Sequence, residues 1–202
     1  MSGNLLIVCA PSGAGKTSLV NALLEADPGI KLSVSYTTRQ PRPGEVDGRD
    51  YRFVAARKFE QMAAEGAFVE SALVHGHHYG TSRRWIGEQR TAGADILLEI
   101  DWQGAAQVRK LIPETVGIFI LPPSFEALLA RLNKRAQDPP DVIAERLAAA
   151  REEISHVGEF NYVIINDHFS EAVDDLVSIV RAQRLRAASQ LARHGQLINR
   201  MK

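Results

Sequence analysis

The chain has 202 residues, enough for one compact unit with a real core and smaller subdomains set into it. Hydrophobic residues make up 45% and charged residues 24%, and 24 basic against 24 acidic side chains leave no net field to attract nucleic acid or a membrane surface. Cys9 is the single cysteine, which excludes an intramolecular disulfide, and no apolar run approaches a membrane span; a cytoplasmic protein is expected.

Leu5-Leu6-Ile7-Val8-Cys9 reads as a strand buried on both faces. A glycine-containing turn follows, then a helix from about Lys16 to Ala26 that Pro28-Gly29 stops. Residues 94–101, 115–121 and 162–166 read as further buried strands, with helices of the 102–111 and 124–136 type between them. A last helix from about Ser170 to His194 is expected to pack back on the sheet. Strands alternating with helices predict an α/β fold with a parallel sheet flanked by helices. Two segments break the alternation. Residues 35–93 are rich in Gly, Pro, Arg and aromatics, with a short helix near 57–65 and an alternating strand near 67–74; residues 131–157 are a charged helical excursion. Insertions at the C-terminal edge of a parallel sheet are where ligands bind, so these two are the expected acceptor region and lid.

Ala10-Pro11-Ser12-Gly13-Ala14-Gly15-Lys16-Thr17 follows a buried strand and opens a helix. That context makes it a phosphate loop whose backbone N–H groups converge on a polyphosphate, although Ala10 stands at the strict pattern's first glycine. Lys16 is expected at the β and γ phosphates, and the Thr17 hydroxyl at Mg²⁺. Asp101-Trp102-Gln103-Gly104 after a strand also suits a GTPase. Such an enzyme needs a late Asn-Lys-x-Asp, however, and Asn133-Lys134-Arg135-Ala136 lacks the acid. Arg39, Arg42 and Tyr51, in a Pro/Gly-braced loop that Glu45, Asp47 and Asp50 keep near neutral, suit a phosphate monoester held by placed donors.

The motifs S-x-T-T-R-x-P-R-x-G-E-x-x-G-x-x-Y at 35–51, F-x-E at 68–70, Y-G-T-S at 79–82 and I-D-W-Q-G at 100–104 resemble bacterial guanylate kinase in content and order. The resemblance covers about residues 3–187 and implies a P-loop fold. Its core would comprise 3–34, 94–125 and 158–187, with a GMP-binding insertion at 35–93, a lid at 126–157 and a basic extension at 188–202. It implies a GMP phosphate held by Arg39, Arg42, Tyr51 and Tyr79, a guanine met by Ser35, Glu70 and Thr81, and Asp101 near Mg²⁺ and the acceptor. Glu99 stands where many relatives carry Asp. Arg135 and Arg146 are implied at the transferred phosphates, and Asn166 at the ATP base or the nearby loop. Guanine N1–H and its N2 amine are parallel donors that one carboxylate, Glu70, can accept, whereas adenine N1 is itself an acceptor.

The expected partners are therefore GMP, with dGMP, and ATP with Mg²⁺, without nucleic acid or membrane; a homo-oligomer is compatible with the chain. A kinase for another base would lack the Glu70–Ser35 pairing. A catalytically inert, peptide-binding relative would lack the phosphate-loop lysine. The triplet His75, His77 and His78 invites a metal reading, but it leads directly into Tyr79 of the acceptor motif.

Overall fold

The computed structural model describes residues 3–74, 76–134 and 140–202. In chain order the elements are β1 (Leu5–Cys9), α1 (Lys16–Ala26), β2 (Ile30–Leu32), β3 (Tyr36–Thr37), β4 (Arg52–Phe53), α2 (Ala56–Ala64), β5 (Phe68–Val74), β6 (His77–Ser82) and α3 (Arg83–Thr91). There follow β7 (Asp95–Glu99), α4 (Trp102–Leu111), β8 (Val116–Leu121), α5 (Phe125–Lys134), α6 (Pro140–Ser155), a 3-10 turn (Val157–Glu159), β9 (Tyr162–Ile165), α7 (Phe169–Arg184) and α8 (Ala187–Asn199).

The first sheet is parallel throughout, in the order β2-β7-β1-β8-β9. β1 is central, and its period-two alternation feeds two cores. Leu6 and Val8 pack with Leu19 and Leu23 of α1 and Leu176 and Val180 of α7. Leu5, Ile7 and Cys9 pack on the opposite face with Ile86 of α3 and Ala105 and Val108 of α4. Burial on both faces is why the strand reads as an unbroken apolar run. Cys9 is 1% exposed, its Sγ donates to Ile100 O at 3.1 Å, and burial pushes its thiol up to about 12. It is a core side chain, not a nucleophile. Among the described residues no helix is long and apolar enough to cross a membrane.

The second sheet, β4-β3-β6-β5, is mixed: β3 and β4 run parallel, and the other neighbours antiparallel. Phe59 of α2 stacks on Phe68 at 4.6 Å and on His78 at 5.2 Å, which gives this small sheet an aromatic core. His78 is thus a packing residue; His75 lies outside the described residues.

The last helix differs from expectation. It ends at Arg184, and a separate helix starts at Ala187 after extended backbone at Arg186 (φ −56°, ψ 140°). Side chains and anchors explain the break. Ser189 Oγ and Gln190 Nε2 donate to the carbonyls of Gln183 and Arg184, satisfying the helix end. The Arg184 guanidinium is itself fixed between Asp27 (2.5 Å) at the end of α1 and Asp95 (2.6 Å) at the start of β7. Helix α7 packs on the sheet, whereas α8 buries no residue.

Arg184→Ala leaves two acids without their shared partner. We expect a loss of about 2 kcal/mol at pH 7, or roughly 4–8 °C in a thermal melt. The hydrogen bond from Arg184 holds the Asp27 carboxyl below its usual range. A depressed acid contributes stability above about pH 4 and loses it as pH falls further. The gap between wild type and variant should therefore narrow at pH 3; equal midpoints at pH 7 would contradict the clamp.

Candidate active site

The loop after β1 turns because Gly13 and Gly15 adopt left-handed backbone (φ 93° and 95°), which points successive N–H groups to one side. Both glycines are also closely backed. A Cβ at Gly13 would fall 2.9 Å from Leu132 Cδ2 of α5, and one at Gly15 would fall 2.5 Å from Asn166 Nδ2. Ala14 is buried beneath the loop, and its carbonyl accepts from Asn166 Nδ2 at 2.7 Å and Arg131 Nη1 at 3.3 Å. Arg131 Nη2 also donates to Asn166 O at 2.8 Å. Asn166, 5% exposed, is thus a brace for the loop.

A cleft of about 300 Å³ opens over the loop. Its lining includes Ala10, Pro11, Ser12, Gly13, Gly15, Lys16 and Thr17 from the loop, Ser35, Tyr51, Glu70 and Tyr79 from the second sheet and its loops, and Glu99 and Asp101 from the end of β7. Lys16 Nζ reaches Ile100 O at 3.5 Å, a long contact that leaves the ammonium available. Thr17 Oγ1 donates to Glu99 Oε1 at 2.6 Å, which gives Glu99 a definite place beside the loop. Asp101 caps α4, accepting from Gly104 N at 2.8 Å.

At the other end, Glu70 is 4% exposed and accepts a hydrogen bond from the fully buried Thr81 hydroxyl. Desolvation raises its carboxyl to about 7; Thr81 opposes the rise and the charge of Asp101 adds to it. Arg39 forms a two-pronged pair with Glu45 at 2.8 and 3.0 Å, and that bond raises the guanidinium's pKa further. The guanidinium lies 5.3 Å from the Tyr51 ring centroid, and Tyr51 meets Tyr79 edge-on at 5.9 Å. Burial pushes the Tyr51 phenol up, keeping it a hydrogen-bond donor. Arg42 is exposed, with its backbone N–H on Glu45 at 2.7 Å. Arg146 is half-buried on α6, and Arg135 lies outside the described residues.

Sequence reasoning missed Glu153. This α6 residue lines the cleft, where burial raises its pKa while Lys16 and the Ser12 backbone N–H oppose the rise. Its Oε2 is buried with no hydrogen-bond partner among the described residues. It belongs to no short motif, so only the packing of α6 against the loop could reveal it. The anchoring role of Arg131 was hidden for the same reason.

A family model described as "Guanylate kinase" matches residues 2–183. The guanylate kinase of Dechloromonas aromatica is 58% identical over 201 residues, covering 100% of both chains. That of Nitrosospira multiformis is 59% identical over 196 residues, covering 97% of this chain and 93% of the relative. The crystal structure of guanylate kinase from Anaplasma phagocytophilum superposes with a TM-score of 0.78 at 35% identity, covering 92% of this chain and 88% of that one. With a family match over nearly the whole chain, and a phosphate loop and buried carboxylate facing one cleft, the chain belongs to the guanylate kinase family.

Proposed function

We propose that this chain transfers the γ-phosphoryl group of ATP directly to a phosphate oxygen of GMP, giving ADP and GDP. The observation that carries the reading is that the phosphate loop and the Glu70–Thr81 pair line or back one cleft, with room for phosphates at one end and a purine edge at the other. On this reading residues 35–93 form the acceptor insertion and residues 126–157 the lid of a core built around the parallel sheet.

The attacking oxygen is already anionic, so the reaction needs no general base and no covalent enzyme intermediate. What opposes it is repulsion between two polyanions. Lys16 and the loop N–H groups take the donor phosphates. Arg39 and Arg42, with the phenols of Tyr51 and Tyr79, take the acceptor phosphate. Arg39 is pre-aimed by Glu45, so little conformational entropy remains to be lost on binding. Glu70 accepts from guanine N1–H and N2–H, and Ser35 and Thr81 serve the base edge. Arg135 and Arg146 are assigned to the phosphate in transfer, and Asp101 orients the acceptor. Glu153 adds a carboxylate to the cleft beside Lys16 and the loop.

Oxygen donors at Thr17 and Glu99, 2.6 Å apart, with Asp101 close by in sequence, suit a hard divalent cation. When bound, Mg²⁺ supplies charge neutralisation and alignment of the phosphates.

ADP formation from Mg·ATP should depend on GMP and not on AMP, UMP or CMP. Turnover with another acceptor alone would overturn the base assignment. Lys16→Ala should lower kcat by about 10²–10³-fold with an unchanged thermal midpoint; near-full turnover would remove Lys16 from the mechanism.

The raised pKa of Glu70 gives a pH prediction. The empty folded protein holds a Glu70 proton between its ordinary 4.5 and about 7. Guanine needs the ionised form, so GMP binding expels that proton. Affinity for GMP should fall by up to about tenfold per pH unit below 7. The GMP phosphate also titrates, near pH 6. The carboxylate's part is the part that disappears in Glu70→Gln, measured as proton release on GMP binding in buffers of differing ionisation enthalpy. Equal release by wild type and variant at pH 7 would contradict the assignment.

A further inference from the structure

Two residues of α4 that the reaction scheme leaves unused face the strand carrying Glu70. Gly104 is buried in the first turn of α4, where glycine is a poor helix former and alanine the best. Its φ is not left-handed, so the backbone does not require glycine there. The space does. A Cβ at this position would fall 2.7 Å from Glu70 Oε2, 3.2 Å from Glu70 Cδ and 3.3 Å from Asp101 Oδ1. The carboxylate therefore rests against the bare helix backbone on one side and is held by the Thr81 hydroxyl on the other.

Gln107 lies one turn further along the same face. Its side-chain amide bonds the Ser71 backbone twice, Gln107 Nε2 donating to Ser71 O at 2.9 Å and Ser71 N donating to Gln107 Oε1 at 3.1 Å. β5 is the edge strand of its sheet, so Ser71 would otherwise present an unpaired donor and acceptor. The Gln107 amide completes the ladder in place of a neighbouring strand, at the residue next to Glu70.

We propose that the Gly104–Gln107 face of α4 determines base selectivity by fixing the depth and angle of the Glu70 carboxylate. This inference rests on the reading of Glu70 as the guanine acceptor. The two residues are positioning residues: neither reaches the base, and both act through Glu70. Because α4 begins at Asp101, the same helix ties the base-reading carboxylate to the site of phosphoryl transfer.

The test is a comparison of wild type, Gly104→Ala, Gln107→Leu and Glu70→Gln with GMP and IMP as acceptors. IMP keeps the N1–H of guanine but lacks the N2 amine, so the kcat/KM ratio of GMP to IMP reads the second hydrogen bond to Glu70. Gly104→Ala should raise KM for GMP by about tenfold, with the KM for ATP nearly unchanged, and should lower the GMP-to-IMP ratio several-fold. Gln107→Leu, at an exposed position that leaves the fold intact, should shift the ratio the same way by roughly threefold. If Gly104→Ala fails to fold, Gln107→Leu carries the test. A general loss of activity with the ratio unchanged in both variants would overturn the proposal. If Glu70→Gln itself leaves the ratio unchanged, the base assignment fails, and this inference with it. If Glu70→Gln collapses the ratio and the α4 variants do not, only the inference about α4 fails.

Discussion

The arrangement of the site depends on one buried carbonyl, that of Ala14. A loop that points its N–H groups outward must point carbonyls inward, and an inward carbonyl without a donor is costly. Ala14 O receives Asn166 from the end of β9 and Arg131 from α5. The phosphate loop is thereby joined to the end of the last strand of the sheet and to α5. The left-handed glycines set the loop's shape, and this small network holds it. The same network places α5, whose Leu128 and Leu132 close over Gly13.

At the opposite end of the cleft, desolvation decides the chemistry. Glu70 is removed from water and given one hydroxyl donor, which is too little to keep it ionised at low pH. A carboxylate left short of donors discriminates strongly, because only a base edge with two aligned N–H groups restores what burial removed. Arg39 is treated in the opposite way. It is nearly buried too, with an 11% exposed side chain, but Glu45 accompanies it and aromatic rings flank it. On the proposed reading, the acceptor site therefore combines a desolvated carboxyl for the base with a paired cation for the phosphate.

Legibility from sequence followed the strength of local physics. β1 and α1 were readable to the residue, since a continuous apolar run and a glycine-flanked turn leave few alternatives. The buried strands β7 and β8 were readable within two residues for the same reason, and so were the bounds of β9, although β9 was expected buried and is an edge strand with Val163 and Ile165 exposed. Within 35–93 only α2 and β5 were foreseen. β3 and β4 have two residues each, and β6, with the sequence HHYGTS, carries no apolar period. These strands exist because the sheet pairs them, not because their residues prefer it. The last helix was read too long because Leu185-Arg186 contains no helix breaker; tertiary bonds to Arg184 and Gln183 end it. Glu70 was legible only through its resemblance to a family, since an acid on an alternating strand otherwise reads as exposed. Glu153 and Arg131 were not legible as parts of the site, because the loop residues they meet, Ser12, Ala14 and Lys16, lie more than a hundred residues away in sequence.

The charge of the cleft argues for what the rest of the protein must do during turnover. Among the described residues its lining carries four carboxylates, Glu70, Glu99, Asp101 and Glu153, against one ammonium, Lys16. A surface of that sign repels the two polyanions that the proposed reaction requires. On the proposed reading one carboxylate serves the base and Glu99 with Thr17 faces a divalent cation, while Asp101 caps a helix. The remaining positive charge on that reading comes from side chains outside the lining, Arg39 and Arg42 in the proposed acceptor insertion and Arg135 and Arg146 in the proposed lid. The arginines sit on the inserted segments, whereas the carboxylates are divided, Glu99 and Asp101 on the core and Glu70 and Glu153 on those segments. On the proposed reading, the phosphates are therefore neutralised jointly by Lys16, the loop N–H groups and these arginines, and not by the cleft lining alone.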